Sequence, residues 1–262
     1  MTEAATGQAI VRMQTNRYLT VAPDPHAKLR LFCFHEGGAA ASSFSAWRNS
    51  FGSDISVIPI QLPGHGNRHK ETLIPERSQL IGEVNKYLRA ELDAPYSFYG
   101  HCMGALLAYN LTLLRVRNNE RLPECLLTGA CKAPPVTSPW ITQYINLPDD
   151  ELASFLSSIG LLSPSILNNP ERLSPALALA THDARIFADC QEFDPLPCPI
   201  HAFVGDADYS MSPQDNAAWA TLTTEKFTTH TISGSHLFNI DPTWELIDQI
   251  TRLLHGYIHA TE

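Results

Sequence analysis

The apolar positions of this chain fall into short continuous runs separated by stretches of helical periodicity. Leu29 to Phe34, Tyr96 to Tyr99 and Cys125 to Gly129 read as buried strands, and Asp54 to Leu62, Pro199 to Val204 and Phe227 to Ile232 as further strands, bounded by glycine, proline or polar residues. Between them lie helical candidates at Ser42 to Phe51, Ser78 to Leu92 (Leu80, Ile81, Val84 and Leu88 on one stripe), a segment ending near Asn118, Ser212 to Ala220, and Thr243 to Ile258. The last carries Trp244, Leu246, Ile247, Ile250 and Leu254 as an amphipathic stripe. A polar lead-in to about Asn16 and a short strand at Arg17 to Val21 are expected before them. Strands alternating with helices imply a mostly parallel sheet covered on both faces, with ligands at the carboxyl ends of the strands.

From about Val136 to Cys190 that alternation stops. Asp149 to Gly160 places Leu152, Phe155, Leu156 and Ile159 on one helical stripe, and Pro175 to Cys190 is a second helical segment. The expectation is a single domain over residues 1–262 with a helical lid inserted at about 136–190. The stripe packs the lid on the body and can line a substrate channel as well.

Composition changes the picture only in what it excludes. With 262 residues, 44% of them hydrophobic, the chain can bury a full core. A net charge of -9 without any lysine-arginine block argues against nucleic acid and against an anionic membrane surface, leaving a small molecule or another protein as partner. Met1 to Gln8 lacks the regions of a signal peptide, and no apolar run approaches the roughly 18 residues of a membrane span, so a cytoplasmic protein is expected, and nothing in the sequence demands more than a monomer. The six cysteines (Cys33, Cys102, Cys125, Cys131, Cys190, Cys198) form no C-x-x-C pair and read mostly as buried, reduced thiols. His65 and His69 stand four apart in a loop with no third ligand nearby, so no metal is expected there.

The candidate chemistry centres on Gly100-His101-Cys102-Met103-Gly104, which joins a strand directly to a helix. In the hydrolase form of this turn, G-x-S-x-G, flanking glycines allow a bend that lifts the central nucleophile above the sheet. Here the central residue is Cys102. A base and an orienting acid must follow in later strand-end loops, and Asp208 and His236 satisfy that order, His236 as base and Asp208 as its orienter. Asp206 competes, but glycine followed after two residues by aspartate selects Asp208. The oxyanion donors should be the Met103 N–H and one from His35-Glu36-Gly37-Gly38, either Glu36 or Gly37. His101 is expected to pack beside the turn without touching substrate.

Leu31-Phe32-Cys33-Phe34 before a glycine loop, Gln61-Leu62-Pro63-Gly64, the Cys102 turn with Ala105, Gly205-Asp206-Ala207-Asp208 and Gly234-Ser235-His236 together resemble the type II thioesterases of nonribosomal peptide and polyketide synthesis. The resemblance runs from about Leu29 to His255. It implies an α/β-hydrolase fold with a helical lid and a substrate acylated on the phosphopantetheine arm of an acyl or peptidyl carrier protein. It implies no cofactor of the enzyme's own, and a triad of Cys102, Asp208 and His236. Two departures stand out. The family's usual Pro-x-Ala-Gly-Gly loop is replaced by His35-Glu36-Gly37-Gly38-Ala39, and serine by cysteine; a few cysteine-bearing relatives are aminoacyl transferases acting between carriers.

Sulfur supports that rival reading on chemical grounds. An acyl group on Cys102 is still a thioester, close in free energy to the pantetheine thioester it came from, so a second carrier thiol could accept it in a nearly balanced exchange. The helix N-terminus and His236 are expected to favour the thiolate. If water reaches the acyl-enzyme with His236 as base, the outcome is hydrolysis. A catalytically inactive carrier-binding module is the third reading.

Overall fold

The computed structural model describes residues 16–134, 141–142, 144–188 and 193–260. The Met1 to Gln8 segment, most of the polar lead-in, Cys190 and both ends of the expected lid lie outside them. Six strands, β1 (Leu29–Phe34), β2 (Ile55–Pro59), β3 (Tyr96–His101), β4 (Leu126–Gly129), β5 (Ile200–Gly205) and β6 (Phe227–Ile232), form one sheet. Their order is β2-β1-β3-β4-β5-β6 and every neighbouring pair is parallel. The interior strands are buried almost throughout, which is why they read as continuous apolar runs, whereas the edge strand β6 is only partly covered. From β1 the chain goes outward to β2, then crosses back to β3 on the other side. The loops after β1 and β3 therefore part at a topological switch point, the usual crevice for ligands in such sheets.

Helices α1 (Arg77–Leu88) and α2 (Met103–Arg117) pack on one face of the sheet, and α7 (Trp244–Ala260) on the other with the 3-10 segment Ala41–Trp47. Helix α2 buries 12 of its 15 residues, so it shows no polar stripe. Between β4 and β5 come α3 (Asp149–Ser158), α4 (Pro164–Leu167) and α5 (Pro170–Ala188), which share a small core of their own containing Leu152, Leu156, Leu162 and Leu177. Helix α6 (Pro213–Ala217) follows β5 and opens on a Ser212–Asp215 capping box.

Several expected elements take a different form. Arg17 to Val21 contributes one antiparallel bridge, Leu19 to Ile60, rather than a strand, and Pro23 and Pro25, which lack the N–H a ladder needs, follow at once. The helix expected at Ser42 to Phe51 is the shorter 3-10 segment, kinked at Phe44. Helix α5 begins five residues before Pro175, because Asn169 caps it by accepting from the Glu171 N–H at 3.1 Å and Pro170 takes the first helical position. The helix expected from Ser212 to Ala220 divides into α6 and a 3-10 segment at Ala218–Leu222. Trp244 leaves the α7 stripe and is 76% exposed, while Leu246, Ile247, Ile250, Leu254 and Ile258 make the buried face.

Candidate active site

Strand β3 ends at His101 and α2 begins at Met103, so Cys102 alone turns the chain, at φ 50° and ψ -118°. Such a conformation costs an L-residue on the order of 1–3 kcal/mol. It is held by the Cys102 N–H donating to the Gly129 carbonyl at 2.7 Å and by the Ala105 N–H donating to the Cys102 carbonyl at 3.0 Å. The flanking glycines are required by close approach. A Cβ on Gly100 would overlap the start of α2, and one on Gly104 would overlap the Phe34 carbonyl and lie 2.7 Å from the His35 oxygen. Of the five described cysteines, all free thiols, Cys102 alone is not buried.

His236 lies in the loop after β6 and Asp208 in the loop after β5, both buried. The His236 Nδ1–H donates to Asp208 Oδ2 at 2.8 Å, a carboxylate being only an acceptor, and this leaves Nε2 for the Cys102 side. Burial by itself would push the His236 pKa down. The charge interaction with Cys102 and the hydrogen bonds to Asp208 and Cys102 outweigh burial and lift it to about 10. Nε2 has no other side-chain partner and is turned to the Cys102 sulfur. Asp208 is pushed up by burial but pulled lower overall by His236 and Ser210. Ser210 gives Asp208 Oδ1 its N–H at 2.9 Å and its hydroxyl at 2.6 Å.

The sequence reading missed Ser210, although an aspartate followed after one residue by serine is a common turn signature. Asp206, the competing acid, instead accepts the Gly234 N–H at 2.9 Å and so ties the β5 loop to the histidine loop. His101 is fully buried: its Nε2–H donates to the His236 carbonyl at 2.7 Å and its Nδ1 accepts from the Tyr99 hydroxyl at 3.0 Å. Burial holds it neutral, with a pKa lowered to about 3. Through that carbonyl it holds the histidine loop in place.

Cys102, His236, Met103 and Gly37 meet in one cavity. Glu36 turns away from it, its carboxylate accepting from the Ser43 hydroxyl at 2.7 Å and from Asn239 Nδ2 at 3.1 Å. Of the two alternatives in the β1 loop, then, Gly37 is the one at the cavity wall. The walls are mainly apolar, with Leu106, Ile141, Phe155, Ile159, Ala180 and Met211 among them. The α3 stripe serves both surfaces: Leu152, Leu156 and Ile159 lie in the core of the inserted helices with Phe155 packed against it, and Phe155 and Ile159 also line the cavity. Lys132 also reaches the wall and pairs with Asp215 at 2.8 Å.

His65 and His69 do not come together as ligands. His65 commits Nδ1 to the Pro63 carbonyl and Nε2 to Asp183, each at 2.8 Å, and His69 Nδ1 lies 3.0 Å from the Gly66 carbonyl. Among the described residues no cluster of three or more histidine, cysteine or acidic side chains could hold a metal, and no helix is long and apolar enough to cross a membrane.

A family model described as "Thioesterase domain" matches residues 29–254, and the chain belongs to the thioesterase family. It is therefore a thioesterase-type hydrolase with the α/β-hydrolase fold. Among curated proteins it is 32% identical over 232 residues to the gramicidin S biosynthesis protein GrsT of Aneurinibacillus migulanus, covering 87% of this chain and 90% of that one. It is 28% identical to the human medium-chain S-acyl fatty acid synthase thioesterase, covering 90% of this chain and 88% of that protein. Among solved structures it resembles the RedJ thioesterase of the prodiginine pathway of Streptomyces coelicolor, at 29% identity and a TM-score of 0.78, covering 90% of this chain and 92% of the other.

Proposed function

We propose that this protein is a type II thioesterase of nonribosomal peptide or polyketide biosynthesis, working in the cytoplasm on acyl groups carried by the phosphopantetheine arm of a carrier protein. The observation that carries the reading is the Asp208–His236 pair, bonded at 2.8 Å and facing Cys102 at the head of an apolar cavity. The thioester resemblance of the five motifs and the relatedness to GrsT support the carrier-bound substrate.

In the first step the Cys102 sulfur attacks the thioester carbonyl carbon, forming a carbon–sulfur bond. The carbonyl oxygen becomes an oxyanion facing the Met103 and Gly37 N–H groups. As the intermediate collapses, the bond to the pantetheine sulfur breaks and the His236 imidazolium gives that sulfur its proton. In the second step His236 Nε2 takes a proton from water, the resulting hydroxide oxygen attacks the acyl carbon, and the Cys102 sulfur departs. The acyl group leaves as a carboxylic acid. The inserted helices serve as a lid: Phe155, Ile159 and Ala180 line the acyl chamber and limit access of water.

Cysteine at position 102 favours one second reading, transfer of the group to another carrier's thiol, since the acyl-enzyme keeps thioester activation. The two readings differ in where a label ends. With one carrier loaded with a labelled acyl or aminoacyl group and an empty second carrier present, hydrolysis yields label as free acid. Label found chiefly on the second carrier would replace hydrolysis by transfer, and label left on the first carrier would reject both.

A further inference from the structure

The loop after β1 is gripped at two successive peptide groups. The carbonyl of Glu36 accepts from His35 Nδ1–H at 2.8 Å and from the Ala39 N–H at 3.3 Å. Across a trans peptide the N–H points opposite to the carbonyl, so this grip sets the direction of the Gly37 N–H, which has no hydrogen-bond partner among the described residues. The next peptide is held by its other end, the Gly38 N–H donating to Asp183 Oδ2 at 2.7 Å. Asp183 belongs to α5 of the inserted helices and is 1% exposed.

The same carboxylate oxygen accepts from His65 Nε2 at 2.8 Å. Because Nδ1 of that ring must also donate, to the Pro63 carbonyl, His65 is an imidazolium and the pair is a buried ion pair. The His35 ring lies against the His65 ring, with centroids 5.0 Å apart. Helix α5 packs beside the loop: a Cβ on Gly38 would stand 3.4 Å from Ala180 Cβ, and one on Gly37 would stand 3.6 Å from Asp183 Cβ and from the Met103 sulfur.

We infer that Asp183, His65 and His35 are positioning residues of the oxyanion site, clamping the peptides on either side of Gly37 so that its N–H faces the cavity beside Met103. The inference rests on the proposed acyl chemistry at Cys102 and adds a coupling to it. The seat of the inserted helix and the aim of the oxyanion donor depend on the same carboxylate.

The test compares two reactions of Cys102 in the full-length protein, both read by mass spectrometry with the modified peptide mapped. Acylation by butyryl-pantetheine thioester develops an oxyanion; alkylation by iodoacetamide does not. Asp183→Ala should slow acylation on the order of 10²-fold, the cost of a displaced oxyanion donor, and change alkylation less than about 3-fold. Removing one partner of a buried ion pair strands the other, so Asp183→Asn, which keeps an acceptor oxygen for Gly38, is measured alongside and should recover part of the acylation rate. Acylation of Asp183→Ala at the wild-type rate would overturn the inference, and so would equal loss of both reactions in both variants, which assigns the pair to folding alone. Wild-type protein that alkylates but never acylates would instead reject the functional reading and the inference with it.

Discussion

Cys102→Ala is expected to lower thioester turnover by about 10⁴-fold or more, the scale seen when a nucleophile is removed from a catalytic triad. The fold should survive, because the alanine loses only a partly exposed sulfur and the turn is held by backbone bonds to Gly129 and Ala105. The same substitution should be visible on the base. In the native protein the interaction with Cys102 is the first of those that lift the His236 pKa against burial, to about 10. With the sulfur gone only Asp208 opposes burial, so the imidazolium should deprotonate at lower pH. A histidine-detected NMR titration reads this directly, and an unmoved His236 would contradict the charge contact. Cys102→Ser separates chemistry from placement: its acyl-enzyme is an oxygen ester without thioester activation, so any carrier-to-carrier transfer should fall and the released fraction should rise. An unchanged transfer rate in the serine variant would count against this account of the sulfur.

Gly104→Ala is expected to damage the fold rather than the chemistry alone. The new Cβ would overlap the Phe34 carbonyl and approach the His35 oxygen at 2.7 Å, and these atoms belong to backbone that cannot swing aside. Either α2 must lift from the end of β1 or β1 must shift, which displaces the oxyanion loop. Overpacking of this kind costs about 1–3 kcal/mol and occasionally more. Denaturant unfolding should show a lower midpoint with a similar slope, accompanied by a fall in acylation rate. A midpoint unchanged from the native protein would show that the β1–α2 approach has slack the geometry does not reveal.

The parts of this architecture that could be read in the sequence are those fixed by local or strongly periodic signals. β1 and β3 were legible because strands buried on both faces leave uninterrupted apolar runs, and the turn at Cys102 because two glycines mark it. The spacing after Gly205 selects Asp208, which bonds His236, over Asp206, which fastens Gly234. Helix α5 begins five residues before the expected Pro175 because the Asn169–Pro170 cap sets its start, a local signal that the apolar periodicity does not carry. That Phe155 and Ile159 serve both the helix core and the cavity accords with a stripe that packs and lines a channel, but periodicity alone gives a face and not what lies against it. Asp183 was invisible for a different reason. Its partners Gly38 and His65 are 145 and 118 residues away, and only the closing of α5 over the β1 loop brings them together.

The central claim is that the Cys102 sulfur carries the acyl group. Intact-mass analysis after brief exposure to an acyl-loaded carrier protein tests it most directly. The account predicts a protein heavier by one acyl group, with the added mass mapping to the Cys102 peptide, absent in Cys102→Ala and long-lived in His236→Ala once loaded by a reactive thioester. Turnover of the carrier thioester with no acyl mass ever appearing on Cys102, or with the mass on another residue, would contradict it.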